Sequence, residues 1–479
     1  MSLNLNNKVV SAAIWSFIQR FGALFISFTT NILLARLLSP NDFGCMGILL
    51  VFVTIADVLV DGGLGLSLIQ KQRITPLDIS TVFTSNLVFS ILFFLAILFS
   101  APFIANYFNY PKIEIYLTVQ SFALIFRAMY AIPSALLNKE LKFKMLTKIY
   151  LLSNFISSVS AIIMAYAGFG VWSLVTKNLA LQFILFCMFW SFAYVKISVK
   201  FDFHTFKNLF KIGGAITFTN LTDIIFTNIL SFLIGKKYSV TTLGYYTQAK
   251  ALEQIPVYTL STVINQVLFP VFSKIQDNEE RIRENTKKCL VLITFFSFPI
   301  MAYLIIYAEP VITFLYSSKW LDSVPYFQIL CIAGFVNPII HINRTIIKSL
   351  GKAQLLVKTQ LFSIIIGILI LFIGVHFNIY ILLLGICLYS FLGCIVVTYY
   401  SSQEIRYTLL EQFYNISRSL IITIIVSGFS FYLTTHFYHL SAFIFLLISL
   451  LIFLSLYTLF SFLFNKSSIH LVSEVLRKK

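Results

Sequence analysis

The chain has 479 residues, of which 59% are hydrophobic and only 11% are charged. Water-soluble globular proteins carry about 45–50% apolar and about 25% charged residues, so this composition excludes a soluble enzyme, a disordered chain and a collagen-like chain. The net charge of +17 comes from 35 basic against 18 acidic residues. In a membrane protein such an excess is typical of cytoplasmic loops, and it does not indicate nucleic-acid binding.

Fourteen apolar stretches follow one another along the chain, each long enough for the about 20 residues that a spanning helix needs. Pro40 and the Asn41–Asp42 pair mark a break between the first two stretches, because these residue types often start a helix. The sequence therefore predicts an all-α polytopic membrane protein with 14 transmembrane helices. The stretches lie at about 9–35, 43–69, 81–107, 114–137, 146–167, 171–195, 209–234, 242–272, 287–307, 323–347, 355–375, 379–401, 414–437 and 440–464.

The basic residues test the orientation of these helices. If the N-terminus lies in the cytoplasm, 26 Lys and Arg residues fall in inside loops, five in outside loops and four within spans. Cytoplasmic loops of membrane proteins carry an excess of Lys and Arg, so both termini are predicted to be cytoplasmic. The first apolar stretch lacks a small-residue cleavage site, which favours a retained first helix over a signal peptide.

A weak internal repeat relates two parts of the chain at an offset of 200 residues. Ser39 and Gly44 recur as Ser239 and Gly244. The offset covers six predicted helices, an even number, so both copies cross the membrane in the same direction and form a parallel, pseudo-twofold repeat. The predicted parts are an N-terminal six-helix lobe at 1–200, a C-terminal six-helix lobe at 201–405, and helices 13 and 14 with a cytoplasmic tail at 406–479.

The sequence contains no motif of an enzyme that forms or breaks covalent bonds. Walker A, HExxH and GxSxG motifs are absent from any usable context, and the six cysteines show neither a CxxC pair nor metal-ligand spacing. We therefore predict a transporter, without enzymatic activity and without a metal site. Charge inside a bilayer is costly and usually faces a water-filled cavity or a partner, so the ionisable residues within spans are the candidate site.

Four basic residues lie inside predicted spans and are predicted to bind the substrate. Arg20 and Arg127 lie near the middle of their spans, and a guanidinium group matches the geometry of a phosphate. Lys177 and Lys250 lie nearer the outer side. The alternative for each of them is a structural ion pair that holds two helices together.

The acidic residues inside spans are predicted to form a coupling site for a proton or a sodium ion, with no other cofactor. They are Asp57, Asp61, Asp223 and Glu253. Asp57 and Asp61 are four residues apart and therefore share one face of the second helix. The alternative is again structural: Asp57 or Asp223 neutralises Arg20, and Glu253 pairs with Lys250.

Segments in order along the chain carry a family resemblance. They read ARLLSPNDFG (35–44), DGGLGLSLIQK (61–71), LLNKELKFK (136–144), GFGVWSLV (168–175), IGKKYSVTTLGYYTQAKALEQIP (234–256), FPVFSKIQDNEERIR (269–283), SSKWLDSVPYFQIL (317–330) and NRTIIKSLGK (343–352). With them the chain resembles the Wzx-type polysaccharide flippases of the MOP exporter superfamily, in particular the longer branch with fourteen helices. The resemblance covers about residues 1–400.

This resemblance implies two six-helix lobes around a central cavity that opens alternately to either side of the bacterial inner membrane. It implies transport of undecaprenyl-diphosphate-linked oligosaccharides for O-antigen, capsule or exopolysaccharide synthesis, with membrane lipids, a polysaccharide polymerase and chain-length proteins as partners. The alternatives are a flippase for the peptidoglycan lipid precursor or a multidrug or cation exporter of the same superfamily. A membrane-embedded polymerase or ligase is disfavoured, because the longest predicted outer loop has about 15 residues, at 308–322.

Overall fold

The computed structural model describes residues 2–192, 198–264, 268–275, 278–437 and 439–477, and throughout these ranges the regular structure is helical, without strands. The all-α prediction is therefore confirmed. The chain forms two compact units, Met1–Gly244 and Tyr245–Lys479. This division falls inside a helix, and the predicted lobes at 1–200, 201–405 and 406–479 stay predictions.

The first unit consists of long helices joined by short turns. They are α1 (Ser2–Leu37), α2 (Pro40–Asp61), α3 (Leu64–Gln70), α4 (Pro76–Tyr107), α5 (Ile113–Lys139), α6 (Phe143–Tyr166), α7 (Val171–Phe192), α8 (Phe203–Lys237) and the start of α9 (Val240–Val263). Within this unit α8 packs on α2, α3 and α4.

The predicted break between the first two stretches is where α1 ends and α2 begins. Ser39 caps α2: its hydroxyl accepts from the Asp42 N–H at 3.3 Å, and the Asp42 carboxylate accepts from the Ser39 N–H at 2.8 Å. Pro40 occupies the first helical position, where its missing N–H costs nothing. Ser239 repeats this cap 200 residues later, because its hydroxyl accepts from the Thr242 N–H at 2.9 Å at the start of α9.

The second predicted stretch, 43–69, is two helices and not one. Gly62 (φ 54°) and Gly63 (φ 66°) adopt the left-handed conformation that glycine tolerates best, and they separate α2 from α3. Gly63 also lies against α8, since a Cβ at this position would come within 2.3 Å of the Gly213 carbonyl oxygen. The turn therefore requires glycine for its backbone angle and for the close packing.

The second unit contains the rest of α9 and ten further helices within the described residues. They are α10 (Phe269–Lys274), α11 (Glu279–Ile306), α12 (Ala308–Tyr316), α13 (Val324–Gly334), α14 (Asn337–Ser349), α15 (Ala353–Gly374), α16 (Ile379–Ile405), α17 (Leu409–Thr434), α18 (Ala442–Phe464) and α19 (Lys466–Arg477). The predicted outer loop at 308–322 is largely ordered, because it contains α12 and a short 3-10 helix at Ser318–Ser323.

Twelve segments of the described chain are long and apolar enough to cross a membrane. They match the predicted stretches one for one except at 209–234 and 242–272, which correspond to α8 and α9. A multi-pass membrane protein is therefore confirmed, whereas the count of 14 stays a prediction. Helix α15 presents a row of exposed apolar side chains, as a lipid-facing helix must: Leu361, Ile365, Ile368, Leu369 and Phe372.

The last two long helices, α17 and α18, pack against α11 within the second unit. The Tyr303 hydroxyl of α11 is 3.0 Å from the Ser449 hydroxyl of α18, and the Tyr457 hydroxyl donates to the Phe295 carbonyl at 2.8 Å. The hydroxyl of Tyr307, which lies between α11 and α12, is 2.7 Å from the Ser430 hydroxyl of α17. Buried hydroxyl pairs of this kind hold the helices together where water cannot satisfy them.

Candidate functional site

An ion pair crosses the interior of the first unit. The Arg127 guanidinium of α5 donates to Asp57 Oδ2 of α2, and both residues lie in candidate membrane spans. Near the start of α2 the Asn41 amide donates at 3.2 Å to the hydroxyl of Tyr110, which lies in the turn just before α5. Both contacts join residues about 70 apart, so α2 and α5 run side by side in one direction and bring Asp57 to the depth of Arg127.

The described residues use only part of the hydrogen-bonding capacity of this ion pair. Asp57 is 18% exposed and Arg127 is 44% exposed. Asp57 Oδ1 is buried, and no described residue hydrogen-bonds to it. A guanidinium group has five N–H donors, so Arg127 keeps donors for a further anion after it binds one carboxylate oxygen.

A second carboxylate lies one turn farther along α2. Asp61 shares the helix face with Asp57, and both act electrostatically on Arg127. The lack of a side chain at Gly65 leaves room for the Asp61 carboxylate. A Cβ at position 65 would lie 3.2 Å from Asp61 Oδ1, which is a tight contact. The cluster therefore brings two carboxyl groups to one guanidinium group.

Hydroxyl and amide groups fix the helix that carries Arg127. The Tyr130 hydroxyl donates to Gln182 Oε1 of α7 at 2.7 Å, and Ser134 lies 3.0 Å from the Tyr150 hydroxyl of α6. The Tyr130 ring also stacks on Phe189 at 5.3 Å. The sequence did not identify these residues as part of a site. The signal that could have found them is that Tyr130 and Ser134 follow Arg127 at helical spacing within an apolar run.

The other predicted residues of the first unit lie outside this cluster. Arg20 is exposed on α1, and Asp57 pairs with Arg127 instead, so the expected Arg20–Asp57 alternative is wrong. Lys177 of α7 is half-buried and has no ion-pair partner in the described part of the chain. Asp223 lies in α8, but its side chain is outside the described residues, so an Arg20–Asp223 pair stays a prediction.

Lys250 and Glu253 belong to the second unit. Glu253 is 6% exposed and lies against α13, where a Cβ on Gly334 would be 3.2 Å from its Oε1 atom. The Lys250 ammonium lies 5.6 Å from the centre of the Tyr246 ring. The expected pair between Lys250 and Glu253, three positions apart, stays a prediction.

Comparison with known proteins places these features in a family. The chain is 24% identical over 376 residues to the lipopolysaccharide biosynthesis protein WzxC of Escherichia coli, covering 78% of this chain and 76% of that protein. It is 24% identical over 354 residues to the teichuronic acid biosynthesis protein TuaB of Bacillus subtilis, covering 74% of this chain and 73% of that protein.

The fold is that of a known transporter structure. The lipid II flippase MurJ superposes with a TM-score of 0.72 over 96% of this chain and all of that chain, at 18% sequence identity. The family model described as "polysaccharide biosynthesis protein" matches residues 33–325, which is more than half of the chain. This chain therefore belongs to that polysaccharide biosynthesis protein family.

Proposed function

We propose that the chain moves undecaprenyl-diphosphate-linked oligosaccharide repeat units from the inner to the outer leaflet of the bacterial inner membrane, for the synthesis of a surface polysaccharide. The chain is a transporter and not an enzyme, in keeping with its family and with relatives named for polysaccharide synthesis and transport. A sugar head group cannot cross hydrocarbon unaided, whereas its polyprenyl tail can stay in lipid. The protein must therefore supply a polar path for the head group alone.

The Arg127–Asp57 pair is the observation that carries this proposal. It places a guanidinium group inside a membrane span, anchored by one carboxylate oxygen and still 44% exposed. The remaining N–H donors match the paired oxygens of a diphosphate, which a guanidinium binds in a fork geometry. Lys177 of α7, which has no ion-pair partner among the described residues, stays a predicted substrate-binding residue outside this cluster.

We further propose that Asp57 and Asp61 bind the coupling ion. Two ionised carboxylates beside one guanidinium leave a net negative charge in a low-dielectric region, which is costly. A proton or a sodium ion on the pair removes that charge. A diphosphate bound to the remaining donors of Arg127 adds negative charge beside Asp57 and favours a cation on the carboxyl pair, so substrate and coupling ion act on each other through one residue.

The complete topology is part of the proposal. Helices α8 and α9 cross the membrane together with the twelve candidate spans, which gives fourteen spans with both termini in the cytoplasm. The even count agrees with the sequence repeat and with the excess of basic residues on one side. The proposed partners on the outer side of the membrane are the polysaccharide polymerase and the chain-length proteins of the same pathway.

A peptidoglycan-precursor flippase is the second candidate, because the fold also matches MurJ. Both substrates are polyprenyl-diphosphate sugars, so the fold alone does not separate them. The family match and the relatives favour the surface polysaccharide. A multidrug exporter is the third candidate, and it has no need of a phosphate-binding guanidinium.

Rescue of growth and of surface polysaccharide separates these candidates. The chain is expressed in one strain that lacks its polysaccharide flippase and in another that is depleted of its peptidoglycan-precursor flippase. The proposal expects polysaccharide on the surface of the first strain and no rescue of the second. Rescue of the second strain alone would transfer the function to the peptidoglycan precursor, and drug resistance with neither rescue would indicate an exporter.

A further inference from the structure

A cavity of about 490 Å³ opens at one end of the second unit, where three helices meet. Its walls come from α11, α17 and the C-terminal helix α19. The lining residues are Glu284, Lys287, Lys288, Val291, Tyr414, Asn415, Arg418, His470 and Leu471. This volume lies within the about 300–1,000 Å³ of typical ligand pockets.

The charges of this cavity do not balance. Glu284 is its single acidic lining residue, and it is already paired with Lys288 at 2.7 Å. Lys287 lines the cavity from α11 and Arg418 from α17, and in the described part of the chain neither has a hydrogen-bond or ion-pair partner for its side chain. Two positive charges among the lining residues are therefore left for an anion.

A neighbouring cavity shows that this excess is local. It measures about 340 Å³ and shares Glu284, Lys287 and Asn415 with the first. Its other charged residues include Glu280 and an Arg283–Glu411 pair at 2.7 Å, so acids outnumber bases there. The two cavities are adjacent, and only the one between Lys287 and Arg418 attracts anions.

The site lies at the membrane boundary. The apolar stretches predicted for α11 and α17 begin at residues 287 and 414, and α19 follows directly after the end of α18 at Phe464. Val291 and Leu471 add apolar side chains to a lining that is otherwise basic and polar. An occupant that carries both a phosphate and hydrocarbon fits this lining, whereas a free inorganic ion would leave the apolar side chains without a partner.

We propose that this cavity binds the phosphate of an anionic glycerophospholipid of the phosphatidylglycerol type, held between Lys287 and Arg418. Basic pockets between spanning helices on the cytoplasmic side are suited to anionic head groups. The Asn415 amide already donates to the Tyr407 hydroxyl at 2.8 Å and to the Glu411 carbonyl at 2.7 Å, so the two cations supply the main contacts. The bound lipid would join α19 to α11 and α17. This site is independent of the transported substrate.

Native mass spectrometry of the full-length protein tests the site. Phosphatidylglycerol or phosphatidylcholine is added to the delipidated protein in detergent, and bound lipids are counted for the parent and for Lys287→Gln/Arg418→Gln. Each basic residue near an anionic lipid contributes about 1 kcal/mol, so the double variant should lose roughly 10- to 30-fold in phosphatidylglycerol affinity. Its phosphatidylcholine binding should match that of the parent.

A matched control separates this site from general charge effects. Arg281→Gln/Lys358→Gln removes the same net charge from exposed residues that do not line the cavity, and it should bind phosphatidylglycerol as the parent does. Equal loss in both double variants, or loss in neither, overturns the proposal. Displacement of phosphatidylglycerol by millimolar inorganic phosphate overturns the lipid as occupant. Unchanged melting temperature and elution volume in phosphatidylcholine verify that both variants are folded.

Discussion

Gly44 and Gly244, 200 residues apart, each lie against the backbone at the start of the other's helix. A Cβ on Gly44 would be 1.7 Å from the Val240 carbonyl oxygen, and a Cβ on Gly244 would be 1.8 Å from the Pro40 carbonyl oxygen. The contact is thus reciprocal, and it joins the two copies of the repeat seen in the sequence. The backbones of α2 and α9 can approach this closely only because neither position carries a side chain.

The first prediction concerns this contact. Gly44→Ala and Gly244→Ala should each destabilise the protein by about 1–3 kcal/mol, because backbone has to move to admit the methyl group. Thermal unfolding in detergent measures the effect. Gly428→Ala is the control, since nothing lies within 4 Å of its added Cβ, and its melting temperature should equal or exceed that of the parent. A common shift in all three variants would contradict the close approach.

The second prediction separates two arginines that the sequence treats alike. Arg127→Ala should lower both the melting temperature and transport, because it leaves the Asp57 carboxylate unpaired. Arg20→Ala should weaken transport but leave the protein level intact, because Arg20 is exposed and its side chain forms no described ion pair. Arg127→Lys should restore transport only in part, since an ammonium lacks the fork geometry.

Surface polysaccharide in the complemented strain and the protein level on a blot measure these effects. Normal polysaccharide in both alanine variants at normal protein level would reduce the two arginines to a structural role. An equal loss of protein in both would show that Arg20 has a packing role that its exposure does not reveal.

The third prediction concerns coupling. Asp57→Asn or Asp61→Asn should abolish the response of transport to a pH or sodium gradient in liposomes, while substrate binding remains. The reason is that an amide neither binds a proton in the working range nor carries the charge that attracts sodium. Transport rates with and without each gradient provide the measurement. Asn variants that follow the gradient like the parent would place coupling elsewhere, and Asp223→Asn and Glu253→Asn are then the next residues to compare.

The fourth prediction concerns topology. A reporter that is active only outside the cytoplasm should give a signal when it is fused at about residue 240, between α8 and α9, and none at about residue 280, at the start of α11. The two fusions bracket α9, and the first of them also reports the side on which α8 ends; neither helix is among the twelve candidate spans. The reverse pattern would remove the fourteen-span topology and the parallel repeat together. Blotting for the intact fusion at both positions excludes a difference in expression.

The fifth prediction concerns pH at the start of α8. Asp202 caps this helix by accepting from the Thr205 N–H at 2.7 Å, and the hydrogen bonds from the Thr205 side chain and backbone lower the pKa of its carboxyl group below the usual value. A lowered folded-state pKa means that the stabilisation is present above the unfolded pKa, about 3.9, and is lost as pH falls through the folded pKa. The protection of the Thr205 amide against hydrogen exchange, taken relative to the intrinsic rate at the same pH, should therefore fall in acid more than it does in Asp202→Asn.

Asparagine keeps an oxygen acceptor but has no charge to lose, so it is the matched control for this helix cap. Asp202→Ala should exchange fast at every pH. A parent that exchanges like the Asn variant from pH 7 to pH 3 would show that the carboxylate charge contributes nothing to the cap.

The sequence by itself determined the class of protein, the order of the spans and the place of the break at Pro40, because hydropathy and helix caps are local properties. It also determined the offset of the repeat, since α1 and α8 end at Leu37 and Lys237. It did not predict the turn at Gly62 and Gly63 inside the second stretch, because the packing of α8 on Gly63 is a long-range contact.

Only the tertiary structure decided which charges meet. Helical spacing places Asp57 and Asp61 on one face of α2, but it leaves the neighbour on that face open. The register of α2 against α5 selects Arg127 over Arg20 as the partner of Asp57. The same holds for Tyr130 and Gln182, which are 52 residues apart and share a hydrogen bond. Spacing within one helix fixes the face from which a side chain projects. The packing of different helices fixes the distance between side chains on those helices, and an ion pair depends on that distance.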